Sequence, residues 1–228
     1  MSELIETLYH NIYKKEFNKY FIELLYIEAK NKEEADKAKF IKIPDSSSEI
    51  NEQAFFDYTC LIAVNISKSV KSIGTDAFDG CVNLILINIP NSVESIGHCA
   101  FEYCISLKSI YIPDSVKSFV GRVFTNCENL QIIRLSKSLI SIEQFDFCGC
   151  KSLKFIKIPN SIKIIERSGF ACCNLESITI PNTVETIEKA AFFECTNLKS
   201  ITIPRRFKNR INEIFTEVDL SKVDITYT

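Results

Sequence analysis

Ten cysteines and two histidines hold the strongest claim on chemistry in this 228-residue chain. Thiolates and imidazoles together could bind zinc or act as nucleophiles. Six of the ten, Cys81, Cys104, Cys127, Cys150, Cys173 and Cys195, recur at steps of 23 residues, the last at 22. A reactive centre needs groups that converge, whereas equal spacing is what a structural repeat produces. The six therefore read as small thiols filling one buried slot per repeat, stacked roughly 5 Å apart. Cys60, Cys99, Cys148 and Cys172 lie off that column. Cys148 and Cys150, with Cys172 and Cys173, are the one zinc candidate, but they lack the paired Cys-x-x-Cys spacing of zinc sites. His98 replaces an outer-turn residue in a single repeat, and His10 lies in the N-terminal segment. No Gly-rich phosphate loop, nucleophile elbow or metal pair is present. The expectation is no enzyme, no catalytic residue, no metal and no cofactor.

The elements that carry these cysteines come from one repeated word. Its clearest copy runs from Ile89 to Tyr111. Counting each opening Ile or Leu as position zero, the copies start at Ile43, Ile66, Ile89, Ile112, Leu135, Ile158, Ile180 and Ile203. A short fixed period fixes architecture before local propensities do. Every step is 23 residues except the one from Ile158 to Ile180, which is 22, with the missing residue between Cys173 and Asn174. That places the deletion on an outer loop, where it is tolerated. Position +12 is Phe in each copy, from Phe55 to Phe192, and +18 is Leu from Leu61 to Leu198. Positions +4, +7 and +21 are almost all Val, Ile or Leu. All six prolines stand at +1, where a residue without an N–H ends a strand and opens a turn. Position +21 and the next zero alternate as a half-buried strand does. Val-x-x-Ile at +4 to +7 suggests a second short strand, and +9 to +17 an outer return of turns or 3₁₀ segments. A single copy cannot bury enough surface to fold alone, so the array is the unit of stability.

Leu-x-x-Ile-x-Ile at +18 to the next zero resembles the Leu-x-x-Leu-x-Leu core of leucine-rich repeats. Ser46, Ser69, Ser92, Ser115, Ser138, Ser161 and Thr183 stand where many such repeats carry an Asn that bonds neighbouring coils. A hydroxyl there is expected to satisfy a buried backbone group. The stretch Ile-Pro-Asn-Ser-Val-Glu-Ser-Ile-Gly-His-Cys-Ala-Phe-Glu-Tyr-Cys, Ile89 to Cys104, resembles the consensus of BspA-type leucine-rich repeat proteins. The resemblance spans about residues 40 to 204, and the composition is most similar to members from Entamoeba- and Trichomonas-type protists. It implies a ligand-binding or adhesive repeat solenoid with no catalytic residues to carry over.

The fold expected is a leucine-rich repeat solenoid of short parallel β-strands with α-helical ends. Residues 1–39 form a helical N-terminal cap, 40–204 a seven-copy solenoid, and 205–228 a C-terminal cap of helix plus final strand. The N-terminal helix rests on the one-sided spacing of Leu4, Ile5, Leu8, Ile12, Phe17, Phe21 and Leu25. Arg205, Arg206, Lys208 and Arg210 form a basic cluster. With 27 basic against 29 acidic residues and no wider basic stripe, nucleic acid is not an expected partner. No signal peptide and no 18-residue apolar stretch is visible, which points to the cytoplasm with reduced thiols. The family resemblance pulls toward the cell surface by a non-classical route.

Function then rests on the columns that vary. Positions +20 and +22 flank the buried +21 and should face outward on the inner, concave side. The middle coils present Leu86, Tyr111, Ile132, Arg134, Phe155 and Lys157 there. Aromatics and Arg beside aliphatics are the chemistry of protein hot spots. The expected partner is a protein bound by a monomer; the alternative is a structural or self-associating solenoid with no external ligand.

Overall fold

The computed structural model describes residues 39–228. The helical cap expected over 1–39 lies outside them but for Lys39. From Phe40 onward the chain winds as a repeat in which equivalent residues of successive coils lie side by side. One side carries Phe40–Lys42 (β1), Ala63–Asn65 (β3), Leu86–Asn88 (β5), Ser109–Tyr111 (β7), Ile132–Arg134 (β8), Ser177–Thr179 (β11), Ser200–Ile203 (β13) and Asp224–Tyr227 (β14). All pair in parallel, in the register the repeat dictates: Ile41 with Val64, Val64 with Ile87, Ile110 with Ile133. A second side carries two-residue strands at +6 and +7: Glu49–Ile50 (β2), Ser72–Ile73 (β4), Ser95–Ile96 (β6), Ser141–Ile142 (β9), Ile164–Ile165 (β10) and Thr186–Ile187 (β12).

Neither ladder is continuous. The main one divides into β1-β3-β5, β7-β8 and β11-β13-β14. Between β8 and β11 the equivalent residues Phe155–Lys157 belong to no strand, against the expectation of a strand in every coil. The copy that follows, opening at Ile158, is the one that is a residue short. The core column still holds, since Ile156 is buried. The second ladder divides at Ser118, which keeps only an isolated bridge to Ser95. There the +7 residue is Phe119 in place of Ile, and its ring stands edge-on to Phe124 at 5.8 Å.

The outer return is built from turns, and among the described residues 3₁₀ segments appear only in the C-terminal coil. Each return before the C-terminal coil places left-handed residues at +10 and +14: Cys99 and Tyr103, Arg122 and Asn126, Phe145 and Gly149. At these places the N–H groups bond to the next coil, as Tyr103 N–H does to Thr125 O at 2.9 Å. On the second side Gly97 permits close approach; a Cβ there would lie 2.6 Å from the Gly74 backbone.

Inside the return the Phe column becomes a stack of near-parallel rings from Phe55 to Phe215. Neighbouring centroids lie 4.8 to 5.6 Å apart. Offset parallel rings add about 0.5–1.5 kcal/mol per pair beyond burial. Beside it runs the cysteine column, and the thiols do more than fill space. Each donates to the Phe carbonyl of the preceding coil, as Cys81 does to Phe55 O (3.1 Å) and Cys127 to Phe101 O (3.1 Å). Cys104, Cys150, Cys173 and Cys195 repeat the contact.

The serine column departs from expectation. Ser69 Oγ donates to Ser47 O at 2.6 Å, but the hydroxyls of Ser92, Ser115, Ser161 and Thr183 are buried without a partner. The turn itself is closed by backbone: the +4 N–H donates to the +1 carbonyl, as Val93 does to Pro90 and Val116 to Pro113. In the two coils that lack Pro at +1, Ser67 and Ser136 take the slot and do bond, to Asp45 Oδ1 and Val116 O.

The C-terminal coil is built differently from the others, with only one short helix. A 3₁₀ segment, Arg205–Arg210, and one helical turn, Ile211–Ile214 (α1), replace the usual first part of the coil. Phe215 then closes the ring stack and β14 the sheet.

Candidate functional site

The strand face is built by a simple alternation. The +21 side chain of each strand goes into the core, and Ile110, Ile133 and Ile178 are buried. The residues on either side stand on the other face of the sheet. Their six candidate members meet different fates.

Leu86 does not reach solvent; it is 5% exposed. It pairs in register with Ala63, which is 1% exposed, so the first coils close over this column. Side chains stacked about 4.8 Å apart shield one another, and Leu86 leaves the candidate surface. Tyr111 is half-buried, and the Arg134 guanidinium lies 4.6 Å from its ring centroid. Arg134 also donates to Ile112 O at 2.9 Å and Asp114 Oδ2 at 2.8 Å. Its hydrogen bonds hold the Asp114 carboxyl below the usual carboxylate range. Arg134 is thus a clamp that fixes Tyr111 and the following turn, which composition alone did not reveal. Ile132 is half-buried, while Phe155 is 55% exposed beside an exposed Lys157. The face therefore concentrates its apolar exposure on the coil that lacks strand pairing.

The cysteines off the column do come together in part. Cys148 and Cys172 lie within hydrogen-bonding reach on adjacent coils, and burial raises both, Cys148 to about 11. Cys150 and Cys173 also meet, inside the core column. Among the described residues all ten thiols are free, and no three His, Cys, Asp or Glu side chains are grouped to hold a metal ion. His98 Nδ1 lies 3.0 Å from Val120 O, a contact to the next coil.

The basic cluster is used by the cap. Arg206 donates to Asn182 O at 2.6 Å and lies over Phe207. Arg210 pairs with Glu213 at 2.8 Å, and Lys208 stands over Tyr227.

On the return side Glu102, 4% exposed, takes a two-pronged bond from Arg122 at 3.1 and 2.6 Å. Near it Asp79 has one buried carboxylate oxygen without a partner. Burial, with Glu102, Asp76 and Asp57 nearby, pushes Asp79 up to about 6. Asp146 is buried too, and accepts from the N–H groups of Glu143 (2.8 Å) and Val123 (3.3 Å). Glu102 and Asp146 thereby tie one return to the next.

Two overlapping spans, residues 26–138 and 122–228, match the family described as BspA type Leucine rich repeat region, in six copies. Among solved structures, the chain is similar to a leucine rich cell surface protein from Faecalibacterium prausnitzii: 32% identity and TM-score 0.67 over 72% of this chain. This chain spans 47% of that one, about half its length. It is also similar to the T. pallidum leucine rich repeat protein, with TM-score 0.64 at 24% identity, over 82% of this chain and 87% of that one. The second likeness shows the fold alone. No curated protein matches the sequence.

Proposed function

The chain belongs to the BspA-type leucine-rich repeat family, and from that premise we propose that it is a non-catalytic module that captures a protein partner on its strand face. The family is typically one of protein-interaction or surface-associated proteins and is generally non-enzymatic. The observation that carries the reading is Phe155: a large apolar side chain, 55% exposed, beside Ile132 and Lys157 on a coil without strand pairing. Elsewhere the phenylalanine at +12 is spent on the core. An exposed aromatic side chain, with few rotamers to freeze, is what a partner's pocket takes up at low entropic cost. Tyr111, held by Arg134, extends the patch by two coils.

The test is the affinity of wild type and of a Tyr111→Ala, Phe155→Ala double variant for a partner captured with the wild-type chain. Two hot-spot aromatics are worth roughly 2 kcal/mol each, so the double variant should bind at least about 100-fold more weakly. Unchanged affinity with an intact fold contradicts the proposal. Light scattering over a range of concentrations addresses the alternative. A concentration-dependent oligomer favours self-association, and a constant monomer favours an external ligand.

For compartment, the reading is the cytoplasm. Its support is the thiol column, whose six S–H groups serve as hydrogen-bond donors and so must stay reduced. The likeness to a protein named as a cell surface protein supports the surface as second reading. Among the described residues no helix is long and apolar enough to cross a membrane. Antibody labelling of live, unpermeabilised cells separates the two.

A further inference from the structure

The strand face has a second feature, and protein capture at Phe155 makes no use of it. Over the first coils a cavity of about 890 Å³ opens beside the +22 column. Lys42, Lys68 and Lys71 line it, and all three are exposed. Asp45 is the one carboxylate of the lining, and it accepts from Ser67 Oγ at 2.5 Å. Three ammonium groups against one carboxylate leave two positive charges in excess.

These lysines differ from many others on the solenoid. Lys117 is tied to Glu94, Lys151 to Glu128, Lys163 to Glu185, and both Lys154 and Lys199 to Glu176. The neighbouring coil supplies the counter-charge in each case. Among the described residues, Lys42, Lys68 and Lys71 enter no ion pair. Lys71 also acts at a distance on Glu94, which Lys117 already pairs; lysines that face a cavity outside any close ion pair are a site for an anion.

The neutral part of the lining says which anion. Asn65 and Asn88 stand side by side in register on β3 and β5. A primary amide offers donor and acceptor together, which is what vicinal hydroxyl groups require. Tyr111 closes one end of the cavity, while the Arg134 that covers its ring comes from the coil beyond. Apart from Tyr111, the apolar residues of the wall, Ile66, Ile89 and Pro90, are buried in the fold. No empty apolar socket is left for a peptide side chain to anchor in. Amides, hydroxyls, one aromatic ring and spare positive charge suit a polyhydroxylated anion.

We propose that this trough binds an acidic saccharide, with the lysines taking its carboxylates and the Asn65 amide its hydroxyls. The site is separate from the apolar patch at Phe155, though Tyr111 borders both. Its ligand is therefore tested on its own, without any protein partner.

The experiment is isothermal titration of the full chain with an oligogalacturonate, a neutral oligogalactan of equal length, and an oligoglutamate of equal charge. The oligogalacturonate should bind, and raising salt from 50 to 500 mM should weaken it several-fold, because about a 4–14 Å screening length spans the site. A Lys68→Glu, Lys71→Glu variant should bind it at least about tenfold more weakly. Both side chains are exposed, so circular dichroism should show the fold unchanged. Asn65→Ala should weaken the saccharide and leave any residual oligoglutamate binding unaltered. Equal binding of the neutral oligomer overturns the proposal, and so does oligoglutamate binding as tightly as the uronate. No binding of the uronate, or binding indifferent to the lysine variant, overturns it as well. None of these outcomes touches partner capture by Phe155, so the two readings fail separately.

Discussion

The return side and the strand face of this solenoid are built from the same coils and carry opposite kinds of information. On the return side the same residue types recur in the same contacts, ring on ring and thiol on carbonyl. On the strand face the buried residue is constant in type, while its outward neighbours run from Ala63 through Tyr111 to Phe155. One side stacks the array; the other is left to vary. The contrast teaches that in this repeat protein constancy marks where the coils hold each other, and the varying columns are where both proposed ligands would be met. It also separates two zones of the face itself: a lysine- and amide-lined trough on the first coils, and an apolar patch beyond Arg134.

The largest effect that could break this contrast is in the ring stack. Phe124 is fully buried between Phe101 and Phe147. Phe124→Ala should cost about 3–5 kcal/mol, read as a lower urea midpoint. A loss under about 1 kcal/mol would mean that the stack is not what holds the coils. Next comes the thiol column. Cys127→Ala removes both a small buried volume and the bond to Phe101 O, and should cost about 1–2 kcal/mol in the same measurement.

A third prediction uses acid groups on the return side. Asp79 sits at about 6 in the folded chain, against 3.8 as its ordinary value, mainly through burial. Between those values the folded state holds the proton and the unfolded state has lost it. Stability from this group is therefore full below about pH 4 and falls as pH rises through 6. Asp79→Asn should stabilise the chain above pH 7 by about 1 kcal/mol, after discounting for the group's solvent exposure, and change little at pH 4. Equal effects at both pH values would contradict the assignment. The smallest effect is expected on the strand face. Phe155→Ala should shift stability by less than about 0.5 kcal/mol, although the same change on the return side would be severe.

Much of this was legible in the sequence. The Phe column, the six-cysteine column and the strand register follow from a period that no local preference contradicts. The closing coil could be read from Phe207 and Phe215, which keep phase with the earlier copies. Other features left no mark. The left-handed positions at +10 and +14 hold Arg122, Phe145, Tyr103 and Asn126 as readily as Gly149, because neighbouring coils fix the backbone whatever the side chain. The gap at Phe155–Lys157 is written in the same alternating pattern as the paired strands, so composition could not distinguish it. Residue type and column alone place Leu86 and Arg134 on the outward face. Burial by in-register neighbours removes the first, and a clamp onto Tyr111 and Asp114 redirects the second.

The central claim is that the unpaired coil around Phe155 is where a partner docks. Amide hydrogen exchange of the chain alone and with its captured partner tests it most directly. The account predicts fast exchange at residues 155–157 in the free chain, slow exchange at the paired 132–134 and 177–179, and new protection at 155–157 on binding. Protection appearing only on the return side, with 155–157 unchanged by the partner, would contradict it.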